Sequence, residues 1–193
     1  TRAYCACPLC VPSRGAFFTG VYPNRNGSLI NPWVEEDKKY GDVRKGFDSL
    51  YEMMEGEWDS IHSGKQHLFT EGGKLEDRVD GKTKFVATEV SYHAFLQANN
   101  KKRPGGPAFK NPVPEMVGGR KTRVARYSNP SVGVYEEGAQ YFYDTYFADK
   151  AVEALRMRDK RKPLFLSAMF VAPHPPLEIP EPWFSHIRKE DVH

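Results

Sequence analysis

Cys10, Ser13 and Arg14 stand close together in the stretch CPLCVPSRGAFFTG, which begins at residue 7. Pro12 suits the first turn of a helix, where its missing N–H group costs nothing, and serine is typical of helix starts. Cys10 is therefore expected just ahead of a helix N-terminus, where unpaired N–H groups and the helix dipole favour negative charge. The planar guanidinium group of Arg14 adds five donors that suit an oxyanion. This stretch predicts a nucleophile beside an anion-binding cradle.

Two later stretches add further cations and histidines. Lys65 and His67 lie in GKQH, directly after the predicted strand EWDSIHS, and His174 follows the apolar run PLFLSAMFVAP. Lysine supplies a point charge, and histidine can act as an acid or a base near neutral pH. Around a nucleophile such as Cys10, these groups and Arg14 suit a tetrahedral anion whose charge shifts during a reaction. Taken singly, Cys10 would be interpreted as a small buried thiol, and Arg14 and Lys65 as surface charges. The two histidines would be interpreted as surface or capping residues.

Two helix–strand units are predicted to position these side chains. The helix before EWDSIHS has apolar residues at helical spacing: Phe47, Leu50, Tyr51 and Met54. The helix before PLFLSAM has a similar stripe: Tyr141, Ala148, Val152 and Leu155. The run PLFLSAMFVAPH is typical of a strand that is buried on both faces of a sheet. Because open α/β sheets bind ligands at the carboxyl ends of their strands, the pattern predicts an α/β fold with its site at that edge.

The segment from about residue 70 to residue 138 is predicted to be a loop-rich insertion. Its centre, KKRPGGPAFKNPVPEMVGGRK, is dense in glycine, proline and polar residues, as in long loops that shape binding surfaces. Within it, FVATEVSYHAFLQANN predicts a helix with four residues on one side: Val86, Val90, His93 and Leu96.

Composition narrows the class of protein further. The chain has 193 residues, of which 39% are hydrophobic, enough for a real core. No apolar run approaches the ~20 residues that span a bilayer, so no membrane span is expected. The net charge of +3 is a mild excess, and the basic runs are best explained as solvated loops rather than as a nucleic-acid-binding face. Cys5, Cys7 and Cys10 do not make a disulfide framework, and a zinc site built on them would lack a fourth ligand at finger-like spacing.

Taken together, the motifs resemble those of the type I, formylglycine-dependent sulfatases of the alkaline-phosphatase superfamily. Residues 10–14 match the family's C-x-P-S-R core, and FFTG matches the hydrophobic pair and the Thr-Gly that come after this core. Residues 64–67 match the G-K-x-H element, and APHPPL matches the downstream Pro-His. The resemblance implies an alkaline-phosphatase-like α/β sandwich with a mixed, largely parallel sheet and helices on both faces. Gln66 stands where many members have tryptophan, and Val11 is bulkier than usual, so the subclass stays open.

The resemblance implies that Cys10 is converted to formylglycine by a maturation enzyme that recognises the same motif. One hydroxyl of the hydrated aldehyde would attack sulfur and release the alcohol, and the second would lose its proton and expel sulfate. A serine or a thiol could complete only the first step. Arg14 would stabilise the hydrate, and His67 would take the proton that drives sulfate expulsion. Lys65 and His174 would bind the substrate, the first by neutralising sulfate oxygens and the second by helping the alcohol leave.

A divalent cation, calcium or alternatively magnesium, is also implied by the resemblance, with the modified Cys10 as one ligand. The family's paired Asp motif and its later Asp–Asn pair are not identifiable here, so the other ligands are expected outside this chain. Residues 1–193 are accordingly expected to be part of a sulfatase catalytic domain and inactive alone, without the first metal-binding strand and the C-terminal part.

The implied substrate is a small-molecule or saccharide sulfate ester, and nucleic acid is not an expected partner. Members of the family are commonly exported, to the periplasm or outside the cell, or lysosomal. Two alternatives stay open. One is a phosphonate or phosphate ester hydrolase of the same superfamily, and the other is a non-catalytic anion-binding homologue.

Overall fold

The computed structural model describes residues 2, 4–32, 34–77, 82–106, 110–128, 131–186 and 188–191. The chain divides into two units, each assembled from separate stretches of sequence. The first unit consists of Thr1–His62, Gln66–Val86 and Ala154–Ser167. The second consists of Ser63–Lys65, Ala87–Glu153 and Ala168–His193.

The described residues form both helices and strands. The helices are α1 (Cys10–Thr19), α2 (Pro23–Asn26), α3 (Lys38–Gly41), α4 (Leu50–Met53), α5 (Glu89–Ala98), α6 (Tyr143–Met157) and α7 (Trp183–His186). The strands are β1 (Asp59–Gly64), β2 (Phe69–Thr70), β3 (Gly73–Lys74), β4 (Lys84–Ala87), β5 (Lys110–Val117), β6 (Arg120–Ser128), β7 (Val132–Val134), β8 (Leu164–Met169) and β9 (Leu177–Ile179). The predicted α/β class is confirmed.

The central sheet has the strand order β4–β1–β8. Asp59 donates its N–H group to the carbonyl of Pro163 at 2.8 Å, and Lys65 donates to the carbonyl of Met169 at 2.9 Å. Because both partners advance in the same direction, β1 and β8 run parallel and their carboxyl ends lie at one edge. Smaller pairs complete the sheets, with β2–β3 and β5–β6 antiparallel and β7–β9 parallel.

The region from residue 70 to residue 138 contains regular structure as well as loops. It holds β4, α5 and the β5–β6 hairpin, in which eight residue pairs are in register with a shift at Glu115 and Met116. FVATEVSYHAFLQANN divides into β4 and α5, because Thr88 and Ser91 form a capping box that starts the helix. Tyr92 and Leu96 form its buried face, whereas Val90 is 70% exposed, so the predicted face was wrong at that position. Whether this region is an insertion stays a prediction.

The two predicted site-positioning helices also differ from expectation in detail. Helix α4 spans only Leu50–Met53, since a capping box at Ser49 begins it there. In α6 the predicted stripe is displaced: Val152 is 45% exposed, and the helix instead buries Phe147, Ala151 and Ala154. Strand β8 is half-buried over most of its length, with Ser167 buried, so the prediction of burial on both faces was wrong for the described residues.

The core of the second unit is mostly aromatic. Its buried residues come from β4, α5, α6 and the segments that flank β7 and α6: Ala87, Tyr92, Leu96, Tyr135, Phe142, Tyr143, Tyr146 and Phe147. Phe95 of α5 stacks on Tyr146 of α6 with ring centroids 4.8 Å apart. This packing fixes α5 against α6, which is the helix that precedes β8.

The core of the first unit contains a buried hydrogen-bond network around Tyr51. The Tyr51 hydroxyl lies 2.7 Å from Nδ1 of His62 on β1 and 3.0 Å from Oγ of Ser167 on β8. Burial raises the pKa of Tyr51 to about 12, which keeps the hydroxyl protonated in neutral solution. The Tyr51 ring packs on Phe18 of α1 with centroids 4.8 Å apart. Tyr51 therefore connects α1 to two central strands of the same unit.

Removing this hydroxyl is expected to destabilise the protein. Tyr51→Phe keeps the ring on Phe18 but takes a hydrogen-bond partner from His62 and from Ser167, which are both buried. We expect the free energy of unfolding to fall by about 1–3 kcal/mol in chemical denaturation. Tyr22→Phe is the matched control, because Tyr22 is 68% exposed and should change stability by less than about 0.5 kcal/mol. Equal stability of the two variants would contradict the network.

Candidate active site

Helix α1 presents Cys10 and Arg14 in the first unit. The helix begins at Cys10 itself, two residues before the predicted Pro12, and ends at Gly20, whose φ of 67° is left-handed. Its first turn contains no acidic residue, so the N-terminal dipole is not neutralised from within the helix. The Cys10 thiol is half-buried and in no disulfide. Cys10 was predicted just ahead of the helix, and it is instead the first residue of its N-terminal turn.

Neighbouring side chains hold the start of α1. The N–H group of Val11 donates to Oδ1 of Asn31 at 2.9 Å, and Oγ of Ser13 lies 3.0 Å from Sγ of Cys5. Asn31 was missed in the sequence, where NPW gave no signal for a contact with a residue 20 positions earlier. Ser13 thus has a structural contact in addition to its place in the motif.

Arg14 connects α1 to the GKQH segment. Its Nη1 donates to the carbonyl oxygen of Gln66 at 3.3 Å, across 52 positions of sequence. Gln66 is buried, with only 6% of its surface exposed. His67 follows with a φ of 47°, a left-handed conformation that is uncommon for a residue with a side chain. Such conformations persist where the surroundings impose them, and they concentrate at functional sites.

Lys65 and His174 belong to the second unit. Lys65 is 5% exposed and directly follows β1, while His174 is half-buried in the turn that follows β8. Nδ1 of His174 lies 2.6 Å from the carbonyl oxygen of Pro175. Because a carbonyl can only accept, Nδ1 is the donor, and Nε2 is the ring nitrogen left for exchange with a substrate.

Gly64 allows the close approach of β1 and β8 just before Lys65. It has a φ of 110°, and a Cβ atom added there would overlap the carbonyl oxygen of Met169 and lie 2.9 Å from its carbon. The glycine of G-K-x-H is therefore required by backbone geometry in the second unit. Cys10, Arg14 and His67 lie in the first unit, where Arg14 contacts the carbonyl of Gln66.

The described part of the chain does not supply a complete metal site. Among those residues, no group of three or more His, Cys, Asp or Glu side chains could hold a metal ion. Calcium needs about six or more oxygen ligands, so the described residues do not fit such a site by themselves. In the same residues, no helix has the length and apolar character to cross a membrane.

Two solved structures share the fold of this chain. The phosphonate monoester hydrolase of Agrobacterium radiobacter aligns with a TM-score of 0.64 at 17% identity, over 98% of this chain and 36% of that one. A structure from Bacteroides thetaiotaomicron, from work on a core genetic locus for the metabolism of multiple glycosaminoglycans, aligns with a TM-score of 0.50 at 19% identity, over 91% and 35%. The fold is that of the alkaline-phosphatase superfamily, as predicted.

The chain belongs to the Sulfatase family, whose model matches residues 1–190. A curated relative from Formosa agariphila, described as a sulfatase, is 25% identical over 203 residues. That alignment covers all of this chain and 35% of the relative. The chain thus spans about a third of the length of the relatives it matches.

Proposed function

We propose that the protein to which this chain belongs hydrolyses a sulfate monoester, with Cys10 as the residue that is converted to formylglycine. The observation that carries the proposal is the hydrogen bond from Arg14 to the carbonyl of Gln66. It joins the C-x-P-S-R helix to Gln66 of the G-K-x-H element, so residues of two motifs that are far apart in sequence meet within the first unit. Family membership supports the same reaction class.

In this proposal, Arg14 and His67 act on the group derived from Cys10. Arg14 lies one turn into α1, where its guanidinium group can stabilise negative charge that develops near the helix N-terminus. His67 takes a proton from the hydroxyl that remains after the alcohol has left, and this drives sulfate expulsion. The left-handed backbone at His67 supports a functional role, because this conformation costs free energy and concentrates at functional sites.

Lys65 and His174 bind the ester itself. Lys65 neutralises sulfate oxygens as a point charge, and its burial strengthens such an interaction by excluding water. His174 assists departure of the alcohol through Nε2, because Nδ1 is engaged with Pro175.

The family resemblance includes a divalent cation, which would supply positive charge near the sulfate oxygens. The modified Cys10 would be this chain's ligand, and the other ligands would come from outside residues 1–193. The stretches NPWVEED and IPEPWF and the region 70–138 would contribute to the surface that selects a small-molecule or saccharide alcohol. Conversion of Cys10 would require a formylglycine-generating maturation enzyme as a partner.

The test uses the full-length protein from its native host. Intact-mass analysis should find the protein lighter by about 18 Da than its sequence predicts, which is the change from cysteine to formylglycine at residue 10. The matured protein should turn over an aryl sulfate faster than the matching aryl phosphonate monoester.

Two outcomes would redirect the assignment. A wide preference for the phosphonate would identify a phosphonate ester hydrolase of the same superfamily. An unmodified Cys10 without turnover would identify a non-catalytic anion-binding protein.

A further inference from the structure

The turn that carries His174 is held by a carboxylate from a distant helix. Oδ1 of Asp144 accepts a hydrogen bond from the N–H group of Val171 at 2.7 Å, and Oδ2 accepts from Ala172 at 3.1 Å. The N–H group of His174 in turn donates to the carbonyl of Val171 at 3.0 Å. All of these residues belong to the second unit. Asp144 thus engages both residues at the base of the turn, and the turn closes on one of them.

These contacts are not those of an ordinary helix-terminal acid. Asp144 lies in the first turn of α6, where a carboxylate usually accepts from N–H groups of its own helix. Here both oxygens instead accept from residues 27 and 28 positions later in the chain. Burial raises the pKa of Asp144, and the two hydrogen bonds oppose that shift. The carboxylate is partly buried, and its two hydrogen bonds to loop N–H groups replace hydrogen bonds to water. Because losing them would leave a buried charge without partners, they fix the position of the loop.

We propose that Asp144 is a positioning residue for His174. By holding the backbone of Val171 and Ala172, it sets where the His174 imidazole stands relative to the alcohol that leaves. The inference rests on the proposed function, because it takes His174 as the group that assists this departure. Positional errors of about 1 Å in such a group can cost on the order of 100-fold in rate.

The experiment compares two esters that differ in how much help their alcohol needs. Phenyl sulfate releases a more basic alcohol than 4-nitrophenyl sulfate, so loss of an acid should slow the first ester more. In the full-length matured protein we expect Asp144→Ala to lower kcat by roughly 10- to 100-fold with phenyl sulfate and by less with the nitro compound. Asp144→Asn, which keeps one acceptor oxygen, should give a smaller loss with the same dependence on the ester.

A double-variant comparison distinguishes positioning from a general loss of structure. If Asp144 acts through His174, the variant with both Asp144→Ala and His174→Ala should be no slower than His174→Ala alone. Asp149→Asn is the matched control, since Asp149 is an exposed aspartate of the same helix and should leave turnover unchanged. Thermal melting shows whether each variant is folded. If Asp144→Ala does not fold, Asp144→Asn replaces it in the same comparisons.

Three results would overturn the inference. The losses from Asp144→Ala and His174→Ala could multiply, the Asp144 variants could slow both esters equally, or His174→Ala could leave turnover intact. Each of these leaves the sulfatase proposal standing if the unaltered protein cleaves sulfate esters. Failure of that proposal would instead appear as absent sulfate turnover in the unaltered protein.

Discussion

Gly64→Ala is expected to leave most of the protein unfolded. A Cβ atom at this position would overlap the carbonyl oxygen of Met169, and that oxygen belongs to the backbone of β8 rather than to a flexible side chain. The φ of 110° is a second obstacle, because residues with a side chain rarely adopt it. Relief of the overlap would require β1 and β8 to separate where Lys65 bonds Met169. We expect a loss of more than about 4 kcal/mol, comparable to the whole stability of many domains.

The matched control for this prediction is Gly46→Ala. Gly46 has a similar φ of 91°, but a Cβ atom there would have no neighbour within 4 Å among the described residues. Gly46→Ala should therefore lower the free energy of unfolding only by the cost of the left-handed backbone, about 1–2 kcal/mol. Soluble yield and the melting temperature of the two variants measure the difference. If both melt together, β1 and β8 do not approach each other this closely at Met169.

Cys10→Ala is expected to abolish turnover of sulfate esters in the full-length protein. The proposed reaction begins at the group derived from Cys10, and removal of a nucleophile usually costs on the order of 10⁴-fold or more. Because Cys10 is half-buried at the start of α1, alanine fits there, and the melting temperature should change little. Turnover and melting measured on one preparation separate the chemical effect from a folding defect.

Cys10→Ser should behave differently from Cys10→Ala. A serine can attack sulfur and release one alcohol, but it has no second hydroxyl with which to expel sulfate. We expect a burst of at most one alcohol per protein and a mass increase of about 80 Da on the peptide that contains residue 10. Cys7→Ser is the control and should retain multiple turnover. Steady turnover by Cys10→Ser would contradict the need for a formylglycine hydrate.

Much of the fold around the candidate site could be predicted from local patterns. EWDSIHS predicted β1, and the run PLFLSAMFVAPH predicted β8, although the strand ends at Met169. Pro12 predicted the start of α1 to within two residues. Such signals depend on neighbours within one turn or one strand, so they are present in any short window of the sequence. The buried faces of α5 and α6 were less predictable. Both helices turn aromatic residues such as Tyr92 and Phe147 toward the core, and this leaves Val90 and Val152 exposed.

The sequence by itself determined the family, and it predicted the kind of chemistry, because C-x-P-S-R, G-K-x-H and Pro-His are strings of residue types that need no coordinates to be recognised. Only the tertiary structure decided which atoms meet. Three contacts join residues far apart along the chain. They are the hydrogen bond from Arg14 to the carbonyl of Gln66, the close approach of Gly64 to Met169, and the hydrogen bond that Asp144 accepts from Val171. Those contacts depend on how strands and helices pack, and no property of adjacent residues encodes the distance between two such elements.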